Sequence, residues 1–231
     1  VFFKTSSVKQ EKGSQLMKVK DYISYIVPVL FCLLTFQVVY SESMIKIPAG
    51  PFLMGQLEKS PAPTKVVVDD FWIDPFEVNN AEFSAVFSEH RYPAGADRHP
   101  VSLVTWEEAK GYCERLNKRL PTEPEWERAA RGIDGRIYPW GNNKLRKRAH
   151  PSYSGMVKRS VGFNKKDISV FGVRDMAASV WEWTLGDIEG KKIARGGVWN
   201  HHLDYEYSAT TDRIEVMPEK RYIFLGFRCA R

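Results

Sequence analysis

Few side chains in this chain have both the type and the spacing to do chemistry. His201, His202 and Glu206 form the densest group: two imidazoles, with a carboxylate five positions beyond the first. That donor set suits Fe(II) or Zn²⁺, and in a polar loop the same residues are also ordinary surface chemistry. Cys113 and Cys229 have no CxxC partner and no close His/Cys cluster. In an exported domain such a pair favours a disulfide over a metal site, two buried free thiols being the alternative. His90, His99 and His150 stand singly in polar context, with no second ligand at metal-site spacing. No catalytic triad, HExxH, Walker loop or CxxC occurs. Lys144, Arg146, Lys147 and Arg148 make a basic run that reads as a solvated loop, a surface for an acidic partner being the alternative.

These residues belong to a chain of 231 residues that is 43% apolar, enough for a sizeable core and too apolar for a disordered chain. Its 16 Gly and 13 Pro are close to average usage, which excludes a low-complexity protein. Residues 1–16 precede the first Met in polar, unpatterned sequence and read as a start-site overcall or a disordered extension. Residues 17–43 look like an address: Lys18 and Lys20, then no charge from Tyr22 to Tyr40, with Val39 and Ser41 at the −3 and −1 positions of a cleavage site. The segment is a signal peptide or an uncleaved membrane anchor. Either exports the remainder, to be periplasmic, secreted or anchored by residues 22–40. Five basic and three acidic residues lie in this leading part, so residues 44–231 carry about +4, no nucleic-acid footprint. Membrane contact is expected only through the N-terminal segment.

Within 44–231 the apolar period keeps changing. Ile45, Ile47, the turn signal Pro48-Ala49-Gly50-Pro51, then Phe52 and Met54 predict the start of a β-hairpin. Val66, Val67, Val68, Phe71, Trp72 and Ile73 predict a buried strand. Asn79 caps a short helix with Phe83 and Phe87 on one face. Thr105 with Glu108 and Thr122 with Glu125 are capping boxes that open two more helices. Cys113 falls on the inner face of the first of these, and Gly132 stops the second. From Ile133 onward Gly, Asn, Pro and aromatic clusters leave loops and short strands. The six tryptophans Trp106, Trp126, Trp140, Trp181, Trp183 and Trp199 read as packing anchors. Gly196-Gly197 reads as a place of unusual backbone angles or close packing. The class is α+β with low regular content.

Seven ordered blocks carry a family resemblance: Ile47 to Gly55, Pro100-Val101-Ser102 with Thr105-Trp106, Lys118 to Glu127, Tyr138 to Asn142, Asp175-Met176 with Val180 to Trp183, Arg195 to Asn200, and Gly226-Phe227-Arg228-Cys229. In order and spacing they resemble the formylglycine-generating enzyme (sulfatase-modifying factor) family across residues 44–231. The resemblance implies one compact domain of the formylglycine-generating-enzyme, C-type-lectin-like fold. It also implies a disulfide between Cys113 and Cys229. It implies a structural calcium ion, held by the side chain of Asp175, the carbonyls of Ala178 and Val180, and the carboxylate of Glu182; two carboxylates and two carbonyls are hard donors that suit Ca²⁺. The chain departs from the family pattern with Ala178-Ser179 where Gly-Asn is usual, and local hydrogen bonds that cap the segment are the alternative role for both carboxylates. A second family calcium site is lost near His150.

Copper-using members hold Cu(I) with two cysteines and a serine after the double glycine, soft thiolates selecting the metal. Here Val198 stands at the serine, His201 at or near the first cysteine and Glu206 at the second, and no cysteine lies between Cys113 and Cys229. Copper oxidase chemistry has lost its ligands. The leading expectation is therefore an exported domain that does not generate formylglycine and that binds a peptide, protein or small ligand as an accessory module. A maturation enzyme or oxidoreductase with iron or zinc at His201 and Glu206, or a structural part of an envelope assembly, are the alternatives.

Overall fold

The computed structural model of the chain describes residues 43–55, 62–143, 159–177, 179–197 and 209–231. Eight strands and three helices occur among them: β1 (Ile45–Ile47), β2 (Gly50–Met54), β3 (Thr64–Val68), β4 (Phe71–Ile73), α1 (Asn80–Val86), α2 (Trp106–Arg115), α3 (Glu123–Arg131), β5 (Trp181–Ile188), β6 (Lys191–Gly196), β7 (Arg213–Val216) and β8 (Leu225–Gly226). The described elements are α+β with short strands, as expected.

All three helix starts follow from their capping residues. Asn79, Thr105 and Thr122 each accept from the backbone N–H three residues on, and Glu82, Glu108 and Glu125 each reach back to the cap N–H. Each such cap stabilises by about 1 kcal/mol. Gly132 ends α3 at φ 73°, a left-handed angle that a Cβ would strain.

The first hairpin differs from expectation. β1 pairs with β4 and β2 with β3, both antiparallel, and the register is continuous from Ile45↔Ile73 through Gly50↔Val68 to Met54↔Thr64. The two ribbons are thus one long hairpin whose reversal lies between Met54 and Thr64. The Pro48–Pro51 signal marks only a gap in its ladder, because proline supplies no N–H to a strand. The run Val66–Ile73 is likewise two strands and not one buried strand: Val67 is 69% exposed and Trp72 39%, while Val68, Phe71 and Ile73 are buried.

β7-β6-β5-β8 form a four-stranded sheet, antiparallel except for the parallel pair β5–β8. One core lies between this sheet and α1 and α2, with Phe83, Trp106, Tyr112, Trp183 and Phe227 in it. A second lies between α3 and the long hairpin, around Trp126 and Met176. The C-terminal run joins the two cores. Trp72 and Arg231 exchange N–H···O bonds at 2.8 Å, Ala230 does the same with Arg119, and Val78 N–H reaches Phe227 O at 2.9 Å. Cys113 of α2 is bonded to Cys229 across 116 positions, both residues fully buried. Among the described residues no helix is long and apolar enough to cross a membrane; residues 22–40 lie outside them.

Candidate functional site

Segment 175–182 carries the expected calcium ligands. Asp175 sits at φ 59°, a left-handed angle that aspartate tolerates, and its Oδ2 accepts from Gly162 N–H. Glu182, on β5, has no exposed surface. Its Oε2 accepts from Trp126 Nε1 at 2.8 Å and Arg228 Nε at 2.7 Å, and its Oε1 from the Arg228 guanidinium at 2.7 Å. Val180 is buried, with its carbonyl facing Gly196 at 3.3 Å from where a Cβ would stand. Ala178, with Val198, His201 and Glu206, lies outside the described residues.

The structure brings two further carboxylates to this place. Glu77 is 1% exposed and neither of its oxygens has a hydrogen-bond partner. Burial pushes its pKa well above the usual carboxylate range, helped by the charges of Asp175 and Glu182 and opposed by Arg228. Asp167, fully buried, accepts from Met176 N–H at 3.2 Å and Ala177 N–H at 2.9 Å and so shapes the loop after Asp175. Burial, then the charge of Asp175, pushes Asp167 up to about 7. Asp175 is raised as well, first by burial. Neither Glu77 nor Asp167 carries a signal in the sequence: Asp167 follows Asn164-Lys165-Lys166 and reads as a solvated turn.

Four buried carboxylates thus face the guanidiniums of Arg228 and the flanking Arg174, an excess of two negative charges if all four are ionised. Such an excess in a dry site is relieved by protons or by a cation. A divalent cation fits the charge. Among the described residues no three His, Cys, Asp or Glu converge to hold a metal by side chains alone, so a cation here would lean on carbonyl oxygens and water, as calcium does.

Linkage gives the sign of the pH dependence. Between pH 3.8 and about 7 the native state holds the Asp167 proton that the unfolded chain has released, so stability falls as pH rises through that window. The loss from this group reaches about 4 kcal/mol, and the raised Asp175 and Glu77 act in the same direction. Urea unfolding in chelator at pH 4.5 and pH 7.5 should show a smaller difference for Asp167→Asn than for the parent; equal slopes would contradict the assignment.

A second buried ionic cluster holds the segments flanking the expected copper-position residues. Glu127 is fully buried and takes Gly55 N–H at 2.7 Å, Arg131 at 2.8 Å and the Arg195 guanidinium. Arg195 also donates to Thr210 O at 3.0 Å, and Thr210 N–H reaches Ile137 O at 2.8 Å. Trp126 links the two clusters, donating to Glu182 while its ring lies 5.7 Å from the Arg195 guanidinium. At Gly196, with φ 90°, an added Cβ would stand only 3.2 Å from that ring, the close packing expected of the double glycine. Trp106, Trp126 and Trp183 are core anchors, whereas Trp140 and Trp181 are only partly buried.

The sulfatase-modifying factor enzyme 1-like domain matches residues 35–231, the whole of this architecture. The chain belongs to that family. Its similarity to mouse "Formylglycine-generating enzyme" is 29% identity, covering 81% of this chain and 74% of that one. To mouse "Inactive C-alpha-formylglycine-generating enzyme 2" it is 28%, covering 81% and 85%. Among solved structures, Treponema denticola variable protein 1 superposes with a TM-score of 0.64 at 22% identity, covering 81% of this chain and 94% of that one, a likeness of fold. The family thus includes proteins named as active and as inactive.

Proposed function

We propose that this chain is an exported accessory module of the sulfatase-modifying factor family that binds a peptide, protein or small ligand and does not itself generate formylglycine. One observation carries the reading. Both cysteines of residues 44–231, Cys113 and Cys229, are consumed in a buried disulfide, so no thiolate in the domain remains to hold Cu(I). The similarity to a relative named as inactive supports it, and a buried structural disulfide is usual in oxidising compartments. The expected result is no oxygen uptake and no formylglycine from a Cys-x-Pro-x-Arg peptide, with copper supplied. Formylglycine in that peptide refutes the reading. Tight iron or zinc binding lost in His201→Ala and Glu206→Ala would favour the oxidoreductase.

The same proposal includes a structural calcium at Asp175, Ala178, Val180 and Glu182. Calcium at a hundredfold over its Kd should stabilise the fold by about 2.7 kcal/mol and raise the Tm, and Asp175→Ala should abolish the rise. Calorimetry showing no calcium heat, with a Tm identical in calcium and chelator, removes the ion.

A further inference from the structure

Every strand edge of the described fold is covered or guarded, with one exception. The outer carbonyls of β2 are taken by arginines of α3: Pro51 O by Arg128 at 2.9 Å, Leu53 O and Gly55 O by Arg131 at 3.2 and 2.7 Å. β7 exposes Arg213 and Glu215, charges that discourage strand addition, and β8 has two residues. β1 is three residues long, its exposed Lys46 paired with Asp70. β4 is covered by the C-terminal run, with Trp72 and Arg231 exchanging both backbone bonds.

β3 continues the same hairpin arm as β4, in unbroken register, yet no backbone partner lies on its other edge among the described residues. Since Pro51 and Leu53 of β2 turn their carbonyls outward, their register partners Val67 and Lys65 turn their own N–H and C=O to the open edge. The outer face beside that edge is apolar for a surface: Val67 is 69% and Leu53 51% exposed, with Lys65 the one charge of the strand.

We propose that the open edge of β3 takes up an extended segment of a partner protein as a third strand of the β2–β3 ribbon. The other half of the arm already accepts such a strand from the C-terminal run, so the geometry for strand addition is built in. The chemistry of the outer face selects the segment: an acidic residue across from Lys65 and a β-branched or aromatic one across from Val67. A second copy of this chain is a poorer occupant. Two β3 strands would meet over five residues, a contact about 17 Å long and one strand wide, which buries far less than the roughly 800 Å² per partner of a stable dimer. This edge is separate from the ligand-binding reading above and does not depend on it.

The probe is a blocked Thr-Val-Thr-Glu-Thr peptide at millimolar concentration with the full chain, read by amide hydrogen exchange. Slowing confined to residues 64–68, with none in β7, is the expected result. Lys65→Glu should weaken that peptide about two- to fivefold and reverse the preference in favour of Thr-Val-Thr-Lys-Thr. Val67→Pro, which removes an outward N–H that β2 does not use, should abolish the effect while the fold, checked by circular dichroism, is retained. Unchanged exchange in β3 with both peptides overturns the proposal. So does equal binding of both peptides by the parent and Lys65→Glu. A concentration-dependent doubling of mass that Val67→Lys removes would give the edge to a second copy and overturn it equally.

Discussion

Replacing Arg228 with methionine is expected to destabilise the protein by about 3–5 kcal/mol. Arg228 has no exposed surface and makes three hydrogen bonds to backbone carbonyls, Asp74 O at 3.3 Å, Pro75 O at 3.2 Å and Arg174 O at 2.9 Å, besides its two-oxygen grip on Glu182. Its removal leaves Glu182 ionised in a dry interior beside Asp175 and Glu77, and also strands the carbonyls. The charge penalty is larger than the lost attraction. The double change Arg228→Met with Glu182→Gln should therefore recover a substantial part of the loss, the glutamine oxygen still accepting from Trp126 Nε1. Urea midpoints of the two singles and the double measure the coupling, and a cost below about 1 kcal/mol for Arg228→Met would contradict the account.

Removing the Cys113–Cys229 bridge should cost a comparable amount, roughly 4–5 kcal/mol by chain entropy for a closure of 116 positions. The bridge ties α2 to the C-terminal run, where Asp74 organises the same spot: its N–H meets Cys229 O at 2.9 Å, its Oδ2 takes Cys229 N–H at 3.3 Å, and its Oδ1 pairs with Lys118 at 2.6 Å. Cys113→Ser with Cys229→Ser should lower the Tm steeply and leave the run from Phe227 to Arg231 the first to exchange its amides. Thiol titration of the unfolded full chain should find one reactive thiol before reduction, Cys32, and three after. Three thiols before reduction would end the claim.

Local signals were legible where the physics is local. A capping box needs only four consecutive residues, so Asn79, Thr105 and Thr122 marked their helices without tertiary help, and Gly132 its stop. The inward face of Cys113 followed from helical spacing. The long hairpin was misplaced because its turn signal and its actual reversal differ: Pro48 and Pro51 have the chemistry of a turn, but a ladder can run past a gap when the flanking residues stay in register.

Sequence alone determined the helix starts, the class, the family resemblance and the absence of a thiolate pair after Gly197, since each depends on residue type at short range or on a count. Tertiary structure decided which carboxylates share a site. Glu77, Asp167, Asp175 and Glu182 come from four places in the chain, and the raised pKa values of Glu77, Asp167 and Asp175 arise from burial and like-charge repulsion, neither of which exists until the chain is folded. It also decided that, among the described residues, β3 has a bare edge while β2 and β4 do not, because covering an edge is a relation between distant residues, Arg128 and Arg131 in one case and Arg231 in the other, and no local pattern encodes it.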